Sequence, residues 1–150
     1  MSLFLGIDPG RSGALAVMDY HAMTVETHDM PDTISGLHDL LLRLPAVVSA
    51  MVETPFYPRM VGTKTVAVMA ENFGALKSAL LWREIPTFEC RPAEWKKALG
   101  LSPDKDQSRA KASQFFPTCA NQWTRKKDDG RAEASLIAWY GAGRLKDRGR

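Results

Sequence analysis

Four acidic residues carry the chemistry in this chain. Asp8 closes the apolar run Leu3-Phe4-Leu5-Gly6-Ile7, and Glu53 closes a second run, Val47-Val48-Ser49-Ala50-Met51-Val52. Asp129 and Glu133 lie one helical turn apart near the C-terminus. A carboxylate at the end of a buried strand is costly unless its charge is compensated. Two carboxylates ~5 Å apart repel by about 3 kcal/mol at an effective dielectric of 20, and a bound divalent cation reverses the sign of that energy. Oxygen-only ligands suit Mg²⁺ or Mn²⁺. His21, His28 and His38 are scattered, and no Cys/His spacing suits zinc. The expected chemistry is therefore two-metal catalysis, with ions ~3.5–4 Å apart activating a water and stabilising a leaving oxygen. In that arrangement Asp8 bridges both ions, Glu53 holds one, and Asp129 and Glu133 complete the other.

Helical phase bears on the last pair. Residues at i and i+4 share a face, so Asp129 and Glu133 can converge. Asp128 and Glu133 are five apart and diverge by about 140° at ~100° per residue, which leaves Asp128 as the substitute for Asp129. Each acid also has a plainer reading. Asp8 before Pro9 suits a turn, Glu53 a solvated strand end, and Asp128 or Asp129 before Gly130 an N-cap.

Charge is distributed in a way that suits a polyanion. Residues 1–90 carry 6 Lys/Arg against 10 Asp/Glu, whereas residues 91–150 carry 14 against 7, within a net charge of +3. Cations that hold a phosphate backbone beside carboxylates that hold a metal are what phosphodiester hydrolysis requires. A basic surface with no ligand is the alternative.

The elements that must position these acids follow from hydrophobic period. Leu3–Ile7, Ala14–Met18 and Thr24–His28 read as strands, the first two joined by the turn Pro9-Gly10-Arg11-Ser12-Gly13. Ile34–Leu44 has helical spacing, stopped by Pro45. Val47–Glu53 is the next strand, followed by the Pro-rich aromatic loop Thr54-Pro55-Phe56-Tyr57-Pro58-Arg59. A long helix over Val66–Trp82 is expected to turn Met69, Phe73, Leu76 and Leu80 to a core or a dimer interface. Thr87–Cys90 is a short strand, and helices are expected over Pro92–Leu99, Ser108–Phe116 and Gly130–Tyr140. Hairpin strands followed by alternating helices and strands predict an α/β fold: a five-stranded mixed sheet with helices on both faces.

The totals are those of one globular domain over residues 1–150, with 45% hydrophobic and 25% charged residues. Gly141, Gly143, Arg144, Lys146, Arg148 and Arg150 give the end, from about residue 141, the composition of a flexible basic tail. No run reaches the ~18 apolar residues of a membrane span, and the start lacks a signal peptide's basic region. Cys90 and Cys119 read as free thiols, and the expected location is the cytoplasm. Trp82, Trp95, Trp123 and Trp139 are expected to be structural.

Gly6-Ile7-Asp8-Pro9-Gly10-Arg11-Ser12-Gly13-Ala14-Leu15-Ala16 resembles the opening of the RuvC family of Holliday junction resolvases. The resemblance continues at Val52-Glu53, at Arg91-Pro92-Ala93-Glu94-Trp95-Lys96-Lys97-Ala98-Leu99-Gly100, at Asp104-Lys105, and at Asp128-Asp129-Gly130-Arg131-Ala132-Glu133-Ala134-Ser135-Leu136-Ile137-Ala138. These blocks span most of the chain in order, and the length and DDGRAEA pattern look most like phage or prophage members. The resemblance implies an RNase H-like fold and a homodimer that nicks a four-way DNA junction symmetrically with Mg²⁺ or Mn²⁺. Asp8 and Glu53 match the first two catalytic acids. Glu133 stands where Asp is usual, and the preceding acid of bacterial members aligns with Gly130, which leaves Asp128 and Asp129 as candidates. The resemblance also implies that Phe56, with Tyr57 beside it, stacks at the junction centre. It further implies that Lys96 (or Lys97) and Lys105 contact the scissile region, and that Lys64 is a further DNA-binding cation. Arg125, Lys126 and Lys127 suit a phosphate clamp or a solvated loop.

Two rivals belong to other classes. One is a non-catalytic branched-DNA-binding protein. The other is an actin-like ATP-binding fold in which Asp8 to Gly13 cradles phosphate, for which 150 residues leave no second lobe. The favoured reading involves no membrane and no nucleotide cofactor.

Overall fold

The computed structural model describes residues 2–148. Strands β1 (Leu3–Asp8), β2 (Ala14–Asp19) and β3 (Thr24–Asp29) form an antiparallel meander. Helix α1 (Ile34–Arg43) crosses back to β4 (Ser49–Glu53), and α2 (Thr63–Trp82) crosses to β5 (Thr87–Cys90). Both β4 and β5 run parallel to β1, which gives a five-stranded sheet of order β3-β2-β1-β4-β5. Helices α3 (Pro92–Ala98), α4 (Lys105–Phe115) and α5 (Asp129–Arg148) follow, with short 3-10 stretches at Pro117–Trp123 and Lys126–Asp128. Among the described residues no helix is long and apolar enough to cross a membrane.

Helices cover both faces of the sheet, and the strand sequences show why. β1 reads as a nearly unbroken apolar run because each face of it is buried. Leu5 and Ile7 pack with Leu15, Val17, Leu37, Leu41, Leu76 and Leu80 on the α1/α2 side. Phe4 packs with Ala16, Met18, Trp95, Trp123 and Ile137 on the opposite side. The β3 edge alternates around the buried Val25 and is closed by Gln122, whose side chain accepts from the Thr27 backbone N–H at 2.8 Å and donates to Val25 O at 2.7 Å.

The contact that sets the architecture is between α5 and β1. A Cβ on Gly6 would overlap Ala134 O and Ala138 N, so helix backbone lies directly on strand backbone. A Cβ on Gly130 would overlap Ser12 O, which holds the start of α5 against the β1–β2 turn. Only glycine permits these approaches.

Element boundaries differ from the expected ones in instructive ways. The fourth strand begins at Ser49 and not at Val47, and α2 begins at Thr63 after Gly62. Leu76 and Leu80 are core residues, and Phe73 packs partly against that core. Trp82 is a correction, since it is 81% exposed and lies outside the core, whereas Trp95 and Trp123 are buried. The segment from 141 is a second correction. It continues α5 as helix to Arg148. Gly141 lies where a Cβ would be 2.7 Å from Met51 Cβ, and Lys146 Nζ sits 3.5 Å from the Tyr20 ring centroid. Buried packing overrides the tail-like composition. The side chain of Arg148, and Arg150 entirely, lie outside the described residues.

Gly6→Ala is expected to cost about 1–3 kcal/mol or more, because overpacking here must displace backbone. Gly143 is also helical, but a Cβ there meets nothing within 4 Å. Gly143→Ala is expected to gain up to about 1 kcal/mol from helix propensity. Urea denaturation of both variants checks the pair, and equal effects would remove the close approach as the cause.

Candidate active site

The sheet register places the first two acids. Ile7 pairs with Val52 in the parallel β1–β4 ladder, so Asp8 and Glu53 are the next residues on neighbouring strands. Neighbouring strands lie about 4.8 Å apart, and residues two apart on a strand share a face. Gly6 and Met51 both face α5, so Asp8 and Glu53 point to the α5 side as well. Gly130, against Ser12, brings the start of α5 to the same end of the sheet. Asp129 and Glu133 are on its first two turns.

Each acid on this rim has a protein partner. The buried Glu133 accepts from Ser108 Oγ at 3.3 Å, and Lys96 Nζ lies 3.4 Å from its Oε1. Glu53 Oε2 accepts the indole N–H of Trp95. Asp129 Oδ1 lies 3.0 Å from Arg109 Nε. That contact is a charge pair without hydrogen-bond alignment, because both atoms are buried and neither has a hydrogen-bond partner. The rest of the Arg109 guanidinium is committed to Asp106 at 2.6 Å and to Thr124 O at 3.3 Å. The Asp106 contact holds Arg109 above the ordinary guanidinium range.

Asp128 is oriented differently. Arg125 Nε and Nη2 both donate to its carboxylate at 2.9 Å, and the backbone N–H of Arg125 donates at 3.2 Å. These bonds hold Asp128 below the usual carboxylate range, the Arg125 side chain being the largest cause. Asp128 ends the 3-10 stretch before α5, whereas Asp129 begins the helix that carries Glu133.

The donor set fits a hard divalent cation in two respects. It is made of carboxylate oxygens, and the buried Asp129 Oδ1 has no hydrogen-bond donor. The four-acid pocket expected from the sequence is not preassembled, however. Among the described residues no three His, Cys, Asp or Glu side chains gather closely enough to hold an ion. Two of the acids are instead paired with separate cations, Glu133 with Lys96 and Asp129 with Arg109.

Comparison with solved structures agrees with this architecture. A structure of T. thermophilus RuvC in complex with a Holliday junction substrate superposes with a TM-score of 0.68, covering 96% of each chain at 16% identity. A second, of Thermus thermophilus RuvC, gives 0.65 over 95% of this chain and 96% of that one, also at 16% identity. The fold is that of RuvC. No protein-family model matches the sequence, and neither does any curated protein.

The remaining candidate residues lie on several elements of this fold. The loop after β4 leaves from Glu53 and exposes Phe56 by 74% and Tyr57 by 39%. Lys64 is exposed on the first turn of α2, and Lys97 is exposed on α3 beside the half-buried Lys96. Lys126 and Lys127 are exposed just before α5, while Arg125 is engaged by Asp128. Lys105 opens α4, but its side chain lies outside the described residues.

Sequence reasoning missed Trp95, Ser108 and Arg109 as partners of the acids. Trp95 had one available signal, its place immediately before Lys96. Ser108 and Arg109 had none, because α4 meets α5 only in the folded chain.

The Asp128–Arg125 contact predicts a pH dependence. A carboxyl group with a depressed folded pKa stabilises fully above its unfolded value, about 3.9, and loses that contribution as pH falls through the folded value. Asp128→Asn is therefore expected to be less stable than the parent at pH 7, with the gap narrowing below pH ~4. Urea denaturation at the two pH values measures it, and a constant gap would assign the effect to packing.

Proposed function

We propose that the chain is a divalent-metal-dependent endonuclease of the RuvC family, acting on four-way and related branched DNA by paired nicks. One observation carries the reading. Parallel β1 and β4 end side by side in Asp8 and Glu53, beneath the turns of α5 that bear Asp129 and Glu133. Those four residues would hold Mg²⁺ or Mn²⁺, two ions per site. Bound there, the ions would supply an activated water and charge stabilisation at the phosphate.

The chain's own residues perform the rest. Exposed Lys64, Lys97, Lys126 and Lys127 can hold backbone phosphates, and their sequence-independent attraction weakens with salt. Lys96 keeps a positive charge at the acidic rim, where a scissile phosphate would approach. Lys105 is assigned to the same region by its sequence block. Phe56 offers a face on which an unpaired base can stack, worth ~1–3 kcal/mol regardless of base identity. Tyr57 extends that platform. Symmetric nicking requires two sites, hence a homodimer. Helix α2 supports one, because only Leu76, Ala79 and Leu80 of its 20 residues are buried and Val68 is 48% exposed. The reading needs no nucleotide cofactor and no membrane, and it suits a bacterial or phage-infected cytoplasm.

A non-catalytic branched-DNA-binding protein is the second reading. The contacts of Lys96 and Arg109 with two of the acids favour it. Incubation with a synthetic four-way junction separates the readings: nicking only with Mg²⁺ or Mn²⁺ supports the nuclease, and binding without cleavage supports the scaffold.

Asp8→Asn is expected to abolish nicking, at least a hundredfold, while junction binding stays within about twofold; normal cleavage by this variant would remove Asp8 from the site. Phe56→Ala is expected to reduce junction cleavage roughly tenfold or more, which corresponds to a ~1–3 kcal/mol stacking loss, with duplex binding nearly unchanged. Equal losses in gel-shift and cleavage assays would make Phe56 a packing residue.

A further inference from the structure

Helix α3 reaches both halves of the acidic rim with consecutive residues. Trp95 donates its indole N–H to Glu53 at the end of β4, and Lys96 approaches Glu133 on α5. The helix is short, but its start is fixed. Pro92 occupies its first turn, and Glu94 Oε2 accepts the Arg91 backbone N–H at 2.7 Å. The Trp95 side chain is wholly buried, so its ring has no freedom to swing away. A buried indole N–H also needs an acceptor, and here that acceptor is Glu53.

We infer that Trp95 is a positioning residue that fixes the Glu53 carboxylate to receive a divalent cation. The inference rests on the metal-site reading above. The two kinds of donor at this rim act differently. Lys96 and Arg109 offset the charge of the acids they meet and compete with a metal for them. An indole N–H is neutral, so it restricts Glu53 while leaving the carboxylate its full negative charge and further lone pairs. Hydrogen-bond partners of metal-binding side chains are typically worth 10–100-fold in metal affinity.

The test is Mn²⁺ calorimetry on the full chain without DNA, so that no turnover is involved. Trp95→Phe keeps an aromatic ring and deletes the N–H. It is expected to bind Mn²⁺ at least about tenfold more weakly, with metal-free junction binding unchanged. Unaltered Mn²⁺ affinity in a folded Trp95→Phe variant, alongside loss of affinity in Asp8→Asn, overturns the role of Trp95 and leaves the metal site standing. No Mn²⁺ uptake by the parent, or equal uptake by Asp8→Asn, overturns the metal site and the inference with it. Should circular dichroism show Trp95→Phe unfolded, the parent chain still reports the contact. One of its four tryptophan indole N–H resonances is then expected to move both on Glu53→Ala substitution and on addition of Mg²⁺. Indole signals that respond to neither overturn the proposal.

Discussion

Backbone-on-backbone contact between α5 and β1 at Gly6 is the constraint from which the acidic end of the molecule follows. With no side chain between them, helix and strand stand closer than any pair of larger residues would permit. The angle and height of α5 over the sheet are thereby fixed, and a second close approach, Gly130 against Ser12, fixes its start. Once both are set, the first turns of the helix must lie over the ends of β1 and β4. The acids of the strands and those of the helix then share one rim, although 45 residues separate Asp8 from Glu53 and 76 more separate Glu53 from Asp129.

Collecting negative charge on one rim has an electrostatic consequence. At ~5 Å two carboxylates oppose one another by about 3 kcal/mol even with substantial screening. Two cations from the region between β5 and α5 offset this, Lys96 on α3 and Arg109 on α4, while Trp95 and Ser108 add neutral hydrogen bonds. The offset is incomplete, because Arg109 and Asp129 meet at 3.0 Å without a hydrogen bond. A charge pair that is close but misaligned inside the protein gains Coulomb energy and forgoes the directional part. It contrasts with the bidentate Arg125–Asp128 pair, which is aligned through both nitrogens. The adjacent acids Asp128 and Asp129 thus differ in the alignment of their arginine partners and not by type.

The sheet was legible in the sequence because its signals are local. Apolar runs bounded by Pro, Gly and acidic residues gave the five strands, and the Pro9–Gly13 turn gave the first hairpin. The rim was legible because two of those runs end in acids and a third pair shares a helical face. Three features were not legible. The last helix passes straight through Gly141 and Gly143, residues that read as a terminus, because Met51 fills the space a Cβ at 141 would need. Trp82 was indistinguishable from the buried tryptophans, since its exposure depends on where α2 ends relative to the sheet. The donors Ser108 and Arg109 face α5 through a helix–helix contact that no short-range spacing encodes.

The division of charge along the chain has a structural counterpart. The acidic first half builds the sheet and places Asp8 and Glu53 at its end. The basic second half supplies α3 and α4, from which Lys96 reaches Glu133 and Arg109 reaches Asp129. Closing one half against the other brings donor to acid across the division, as where the indole N–H of Trp95 meets Glu53.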